Sequence, residues 1–226
     1  MTSVNCVVEK EISIYVDRKQ AGLLLYDIIQ AKIRNNTEIV TIPNGGVGVS
    51  YEISKKSNKI SKLVLSKKIV LDKIPIIGIG ALTKDKIILN HDRIKRLNLS
   101  NEEIKRYINN AKKKLREDIR LFSNYIVDRK HVAENKIILI DDGVSSGYTI
   151  KAALSEILKY NPSSIIVATP IISNASKSLI EKMGVDVISP YISTSPKFVV
   201  DEYYDSFKDV SKSDVIKILS KGVVCK

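Results

Sequence analysis

The stretch IILIDDGVSSGYT, residues 137–149, decides the fold of this chain. Four apolar residues lead directly into two carboxylates, Asp141 and Asp142, and a run rich in glycine and hydroxyl groups follows. A continuous apolar run is typical of a strand that is covered on both faces in a parallel sheet. Residues 136–142 are therefore predicted to form a buried strand. Residues 149–160 are predicted to form a helix, because their apolar residues recur at helical spacing.

Strand and helix patterns alternate on both sides of this stretch. Helices are predicted at 17–33, with Asp17 as N-cap, after the capping box Ser100-x-x-Glu103, near 175–183 and at 212–220. Strands are predicted at 38–43, 62–70, 75–83, 86–90, 164–172 and 186–192. Residues 47–53 fit a strand or a helix, and the strand and glycine loop before them favour a helix. This order predicts an α/β fold with an open, mainly parallel sheet flanked by helices. We expect one domain over residues 1–226, with a smaller, irregular, β-rich and helical insertion at about 62–130.

Composition and charge limit the classes of function. The 226 residues are 44% hydrophobic and carry a net charge of +12, which indicates an anionic partner, either nucleic acid or a phosphorylated small molecule. No apolar run is long enough to cross a bilayer, and no leader pattern opens the chain. Cys6 and Cys225 lack metal-ligand spacing, so a reducing cytoplasm is the expected location.

The loop after the 136–142 strand is a candidate anion site. Ligands of open parallel sheets bind beyond the carboxyl ends of the strands, and loop amides at a helix N-terminus suit a phosphate. The hydroxyls of Ser145, Ser146 and Thr149 add donors, and the lysine of a Walker-type loop is absent. Two acids beside a phosphate site are consistent with a ligand such as ribose 5-phosphate, whose vicinal hydroxyls bond carboxylates. The acids would also stabilise positive charge at the anomeric carbon.

The same residues resemble a known signature. ILIDDGVSSGYT is similar to the phosphoribosyl pyrophosphate (PRPP) motif of type I phosphoribosyltransferases: an apolar strand, two acids, three residues, Thr or Ser, Gly, any residue and Thr. The resemblance implies that Asp141 and Asp142 hold the ribose hydroxyls. It also implies a 5-phosphate loop made of Gly143, Val144, Ser145, Ser146, Gly147, Tyr148 and Thr149. Further segments occur in the order seen in a bacterial and archaeal branch of this family: YVDRKQAGLLLYDII (15–29), IPNGGVGVSYEI (42–53), LSKKI (65–69), GIGAL (78–82), ILNHD (88–92) and YYDSFKDVSKSDV (203–215).

The pyrophosphate side resembles the branch with departures. Asn44, Gly45 and Gly46 correspond to its pyrophosphate loop, which usually reads Pro-Arg-Gly-Gly, and Asn lacks the charged fork of Arg. A plain Asn-Gly turn is the alternative. Lys67 and Lys68 match a basic pair that would neutralise the leaving pyrophosphate, with Lys68 as the catalytic member; solvent-facing lysines are the alternative. The segment VLDKIPII (70–77) departs from the branch where related enzymes carry a mobile loop.

The resemblance implies a phosphoribosyltransferase that transfers ribose 5-phosphate from PRPP to a nitrogenous base and releases pyrophosphate, as in purine and pyrimidine salvage. It implies Mg²⁺ held through PRPP, with Asp141 or Asp142 reaching it through water, and a homodimer. The acceptor is expected to be nucleobase-like. Ser145 stands where enzymes for 6-oxopurines usually have Asp, which disfavours hypoxanthine and guanine. No nucleic-acid-binding motif stands out, so nucleic acid is not the expected partner.

Two other functions remain open. The chain could be a PRPP-binding regulator with little turnover, which Asn44 and the altered 70–77 segment favour. It could instead be a hydrolase or phosphorylase that acts on ribose phosphates. An aromatic cluster, Tyr203, Tyr204 and Phe207, could stack on a base, although such clusters are more often core or subunit contacts. His91 and His131 receive no role.

Overall fold

The computed structural model describes residues 13–72, 74 and 77–221. Its first half contains α1 (Arg18–Ile29), β1 (Thr37–Thr41), α2 (Gly45–Ser57), β2 (Ser61–Leu63), β3 (Lys67–Val70), β4 (Gly78–Leu82), β5 (Ile87–Leu89), α3 (His91–Arg96) and α4 (Asn101–Leu121). Its second half contains α5 (Arg129–Val132), β6 (Lys136–Ile140), α6 (Tyr148–Leu158), β7 (Ser164–Ala168), β8 (Ile171–Ser173), α7 (Asn174–Glu181), β9 (Asp186–Ile188), β10 (Tyr191–Ser193) and α8 (Lys212–Lys221). Short 3₁₀ turns lie at Gln30–Lys32, Ser123–Tyr125 and Val200–Tyr203.

A five-stranded parallel sheet forms the centre of the fold. Its strand order is β2-β1-β6-β7-β9, so the chain starts at β1, moves outward to β2 and returns to the other side of β1 at β6. Thr41 of β1 lies beside Ile140 of β6, and the two central strands therefore end level with each other. The predicted α/β class with an open, mainly parallel sheet is confirmed.

Helices cover both faces of this sheet. Successive residues of β6 alternate between two cores: Ile137 and Leu139 pack with α6, while Ile138 and Ile140 pack with α1 and α2. This alternation places apolar side chains on both faces, and it explains why the strand reads as an unbroken apolar run. All four residues are fully buried.

A second layer is built on an antiparallel sheet of order β3-β4-β5. Helix α4 packs its buried stripe, Tyr107, Ala111 and Leu115, in the same core as α8 and these strands. The capping box predicted at Ser100 and Glu103 is present in full and begins α4. Asp17 caps α1 as predicted, because its side chain accepts a hydrogen bond from the Gln20 amide at 2.8 Å.

Several predicted strands are interrupted. The 62–70 strand is wrong as a single element, because 61–63 is the edge of the parallel sheet and 67–70 belongs to the antiparallel sheet. Strands 164–172 and 186–192 each break in two, next to Pro170 and Pro190, which lack the amide that a ladder needs. The new pieces, β8 and β10, pair with each other.

The structure settles one ambiguous prediction and shows one helix that was missed. The ambiguous 47–53 segment is helical, as part of α2, and the short helix α3 was not predicted. Cys6, Cys225 and residues 73, 75 and 76 lie outside the described residues. Within the described part of the chain, none of the helices combines the length and the apolarity that a membrane span requires.

Candidate functional site

The candidate site lies at the point where the sheet changes direction. β1 and β6 are neighbours, but the chain leaves their carboxyl ends towards opposite sides of the sheet. Such a switch point leaves a crevice in which ligands of open α/β sheets bind. The loop after β1 and the loop after β6 meet there: a Cβ built on Gly45 would lie 1.9 Å from Asp142 Oδ2. A side chain at position 45 would therefore have to displace the Asp142 carboxylate.

The two acids occupy different environments. Asp142 Oδ2 accepts a hydrogen bond from Arg18 Nε at 2.7 Å, and the two side chains are only 14% and 12% exposed. Asp141 Oδ1 accepts a hydrogen bond from the Asp142 amide at 3.0 Å. Burial, and then the neighbouring Asp142 charge, raise the pKa of Asp141 well above its usual value. The pair therefore combines one carboxylate balanced by a cation with a second acid that favours its neutral form.

Arg18 was not singled out from the sequence. Besides its bond to Asp142, its Nη1 donates to the Lys208 carbonyl at 2.6 Å, and its guanidinium carbon lies 3.7 Å from the centre of the Phe207 ring. A signal did exist. Arg18 is the first residue of α1, where the helix dipole disfavours a positive charge, so a cation there suggests another partner. That partner lies 124 positions away in the chain.

Hydrogen bonds from β8 and the start of α7 hold the loop after β6 in place. The Val144 amide donates to Ile171 O at 2.9 Å, and its carbonyl accepts from the Ser173 amide at 3.0 Å. The Ser145 carbonyl accepts from the hydroxyls of Ser173 and Ser176 at 2.7 and 2.6 Å. These bonds leave the amides of residues 145–147 without an acceptor among the described residues. A rigid loop with unused amides suits an anion.

The loop ends in the helix that would complete an anion cradle. Gly147 is the N-cap of α6 and has a φ of 73°, a left-handed conformation that favours glycine. Tyr148 and Thr149 form the first turn, where helix amides and the dipole attract negative charge. Ser146 and Thr149 are half-buried, and the Ser145 side chain is exposed. Gly143 is packed against Val200, since a Cβ there would lie 2.3 Å from Val200 Cγ1.

The 44–46 loop faces the acids from β1. Gly45 and Gly46 begin α2, and a Cβ on Gly46 would lie 2.9 Å from Thr41 Oγ1. The backbone of this loop therefore approaches the site closely. The side chain of Asn44 turns elsewhere and donates to the Val210 carbonyl at 2.9 Å. The peptide bond between Pro43 and Asn44 is cis.

The two lysines of β3 are placed differently. Lys67 Nζ lies 2.5 Å from Asp118 Oδ2, and Asp118 is a buried acid of α4 that also binds Lys212 at 2.7 Å. The Lys68 side chain runs beside Gly78 and remains solvent-accessible. Protein packed around Lys68, and then the nearby Arg93, lower the pKa of Lys68. The site roles predicted for both lysines stay predictions.

An open cleft of about 600 Å³ adjoins the loop after β6. Its lining includes Ser145 from that loop, Lys68, Arg93 and Arg96 from the antiparallel layer, and Phe198, Val200, Asp201 and Phe207 from the C-terminal segment. Tyr203 and Tyr204 are buried in a small aromatic core instead. The Tyr204 hydroxyl donates to the Asp142 carbonyl at 2.6 Å and so supports the site from below. Phe207 is the member of the aromatic cluster that lines the cleft.

Comparison with known proteins identifies the family. The model of the phosphoribosyl transferase domain matches residues 92–206, just over half of the chain. The chain belongs to this family. The matched residues include the acid pair and the loop after β6. The 44–46 loop and both lysines of β3 lie outside them. The family is thus the one that the resemblance in the sequence predicted.

Curated relatives and solved structures that are similar to this chain are also known. In two strains of Mycobacterium tuberculosis, a protein named "Putative phosphoribosyl transferase" is 21% identical over 214 residues, which are 93% of this chain and 47% of that protein. This phosphoribosyl transferase domain thus spans about half the length of these curated relatives. The TT1426 protein from Thermus thermophilus has the same fold, with a TM-score of 0.69 and 23% identity, covering 92% of this chain and 98% of TT1426. The AQ2163 protein from Aquifex aeolicus is also similar in fold, with a TM-score of 0.51 and 12% identity. The match covers 87% of this chain and 89% of AQ2163.

Proposed function

We propose that this protein transfers the ribose 5-phosphate group of PRPP to a ring nitrogen of a nucleobase-like acceptor and releases pyrophosphate. One observation carries the proposal: the acids at the end of β6 directly adjoin a fixed loop with unused amides at the start of α6. A sugar phosphate presents vicinal hydroxyls and a phosphate together. Carboxylates accept hydrogen bonds from hydroxyls, and amides at a helix N-terminus bind phosphate. A single ligand would therefore use both features.

The transfer needs little covalent help from the protein. A C–N bond forms at the anomeric carbon while the C–O bond to pyrophosphate breaks, and its electron pair leaves with pyrophosphate. The proton of the acceptor nitrogen passes to water. The negative charge of Asp142 would stabilise positive charge that develops on the sugar. Asp141 would hold the second sugar hydroxyl, and its raised pKa, caused by burial and by the Asp142 charge, disfavours a second negative charge beside Asp142.

Pyrophosphate would bind at the start of α2. The amides of Gly45 and Gly46 are at the positive end of that helix, and both residues lie against the acids. Lys68 is the accessible cation of the predicted pair, whereas Lys67 is held by the buried Asp118. Lys68 lines the cleft beside Ser145, so we assign its charge to that cleft and keep Lys67 as a residue that fixes β3 to α4.

The donors at the site fit Mg²⁺ that enters with its substrate. Carboxylate oxygens are hard ligands, and among the described residues there is no cluster of three or more His, Cys, Asp or Glu that would cage an ion. Asp141 or Asp142 would reach Mg²⁺ through water. When bound, the ion neutralises charge on the leaving pyrophosphate. The homodimer and the role in salvage stay predictions from the resemblance, and the cytoplasmic location stays a prediction from the two cysteines.

Pyrophosphate release tests the proposal. The protein is incubated with PRPP, Mg²⁺ and a panel of nucleobases, and we expect release that depends on the base. Asp142→Asn should remain folded, although it loses the ion pair with Arg18, and should lower kcat about 100-fold or more, because the charge under the sugar is lost. Asp186→Asn is the matched control, since Asp186 is exposed at the amino end of β9, away from the site. An unchanged rate in Asp142→Asn would exclude the assigned role.

A PRPP-binding regulator is the second candidate, and two contacts favour it. Asn44 is bound to Val210 instead of the site, and Asp142 is bound to Arg18. The same assay separates the candidates. Tight PRPP binding without release in the presence of any base would support the regulator. Release that is independent of the base would support a hydrolase.

A further inference from the structure

The cleft beside Ser145 has two chemically distinct walls. One wall comes from β3 and α3 and carries three cations, Lys68, Arg93 and Arg96. The facing wall comes from residues 198–207 and is mainly apolar, with Phe198 and Phe207 as its rings and Asp201 as its acid. An apolar wall packs a planar ring, and a cationic wall attracts negative charge. The cleft therefore fits a flat ligand that is charged along one edge.

Two of the three cations, Lys68 and Arg93, are held against the antiparallel layer, and Arg96 is exposed. Arg93 Nη1 donates to the Gly78 carbonyl at 3.0 Å, and the Lys68 stem lies against Gly78 as well. The Asn90 side chain accepts the Arg93 amide at 2.9 Å and so begins α3. Neither Arg93 nor Arg96 forms an ion pair within the described part of the chain. Burial, and then the nearby Arg93 charge, lower the pKa of Lys68, and an anion in the cleft would favour its charged form.

The position of the cleft separates it from the proposed pyrophosphate loop. Ser145 belongs to the phosphate loop and lines the cleft, while Gly45, Gly46 and the two acids are not part of its lining. An acceptor that attacks the anomeric carbon must approach from the side opposite to the leaving group. The cleft is thus placed for an acceptor. Ser145 also offers no acid or base for a neutral purine.

We propose that this cleft binds the acceptor and selects a planar nitrogen heterocycle that carries a negative charge, such as a ring carboxylate, through Arg93 and Arg96. This inference rests on the proposed phosphoribosyl transfer. The ring packs against the wall that Phe198 and Phe207 form, and the carboxylate faces the guanidinium groups, which bind carboxylates with paired hydrogen bonds. The ring nitrogen then points towards the sugar above Ser145.

Matched acceptor pairs test this specificity. Orotate is compared with uracil, and nicotinate with nicotinamide, since the members of each pair differ at a carboxylate. With saturating PRPP and Mg²⁺, we measure pyrophosphate release, and we also measure binding of each compound to the PRPP-bound protein by calorimetry. In at least one pair, we expect the Kd of the carboxylated member to be lower than that of its neutral partner by about tenfold or more. No preference in either pair, or preference for the neutral member, would overturn the inference.

Arginine variants test whether Arg93 and Arg96 bind the negative charge of the acceptor. Arg96→Gln, at an exposed position, should raise the acceptor KM or Kd about tenfold and leave the PRPP Kd within about twofold. Arg93→Gln should act in the same direction, and Lys95→Gln, on the same helix but outside the cleft, is the control. If the arginine variants instead weaken PRPP binding and leave acceptor binding unchanged, the cations bind PRPP, and the inference is overturned. If PRPP neither binds nor reacts, the proposed function itself fails, and that outcome is distinct.

Discussion

Replacing Arg18 by Met tests whether the site acids depend on their cation. The variant keeps an unbranched stem and removes the guanidinium. It loses the 2.7 Å bond to Asp142, the 2.6 Å bond to the Lys208 carbonyl and the stacking on Phe207. Asp142 then remains mostly buried beside Asp141 without a positive partner. We expect this uncompensated charge to be the main cause of lost stability.

The expected loss follows from the burial of the pair. Removing one partner of a fully buried ion pair costs about 3–5 kcal/mol, and exposed pairs contribute about 0.2–1 kcal/mol. Asp142 and Arg18 are 14% and 12% exposed, which is close to the buried limit but leaves some screening by water. The free energy of unfolding should therefore fall by about 2–3 kcal/mol at pH 8.

The loss should depend on pH through Asp141. The pKa of Asp141 is raised by burial and by Asp142, and the Arg18 charge opposes that rise. An acid with a raised folded pKa favours the folded state below its unfolded pKa, and this contribution is lost as the pH rises through the folded pKa. Removing Arg18 raises that pKa further. Arg18→Met should therefore be less destabilising at pH 5 than at pH 8.

Urea unfolding at the two pH values measures both effects. Arg18→Met, Asp142→Asn and the double variant form a cycle, and we expect a coupling energy of about 1–2 kcal/mol, because the double variant leaves no unpaired charge. Arg34→Met, at an exposed arginine, is the matched control. A loss no larger than that of the control, an equal loss at both pH values, or strictly additive single effects would refute the reasoning.

Three further variants test the geometry of the site. Gly45→Ala should weaken PRPP binding about tenfold or more by calorimetry, since its Cβ would lie 1.9 Å from Asp142 Oδ2 and must displace that acid. Gly147→Ala should lower the free energy of unfolding by about 1–2 kcal/mol through its positive φ. Gly184→Ala is the control for backbone strain alone, because Gly184 has a similar φ and a Cβ there would have nothing within 4 Å. A Cβ on Gly147 would lie 3.1 Å from Leu179 Cδ2, so Gly147→Ala should lose more stability than Gly184→Ala. A smaller loss would contradict this crowding. Tyr204→Phe removes the bond to the Asp142 carbonyl and should cost about 1 kcal/mol in urea unfolding, with an unchanged midpoint arguing against that support.

Local signals in the sequence were sufficient for the centre of the fold. The unbroken apolar run of β6, the Asp17 cap and the Ser100 capping box each depend on residues close in the chain, and each was predicted at its observed place. The 62–70 segment could not be resolved in this way. Its two halves have similar apolar patterns, and only their distant partners, β1 for one and β4 for the other, assign them to different sheets.

The same limit applies to the site. Asp141, Asp142 and the loop to Thr149 are contiguous, so one stretch of sequence was enough to propose an anion site beside two acids. Arg18 and the cationic wall of the cleft reach that site only through tertiary packing. α3 was not predicted at all, because six residues after a strand give too short a pattern to recognise. Sequence reasoning therefore proposed the sugar site but not the charges that surround it.

These surrounding charges explain how two adjacent acids are tolerated beside an anion cradle. Asp142 is balanced by Arg18, and burial and the Asp142 charge raise the pKa of Asp141, which disfavours its charged form. A phosphorylated ligand therefore meets weaker repulsion than two free carboxylates would produce. If sugar hydroxyls replace the Arg18 bond to Asp142, the guanidinium becomes available beside Gly45, where pyrophosphate is proposed to bind. Arg18 could thus exchange one anionic partner for another and supply, from α1, the positive charge that Asn44 does not.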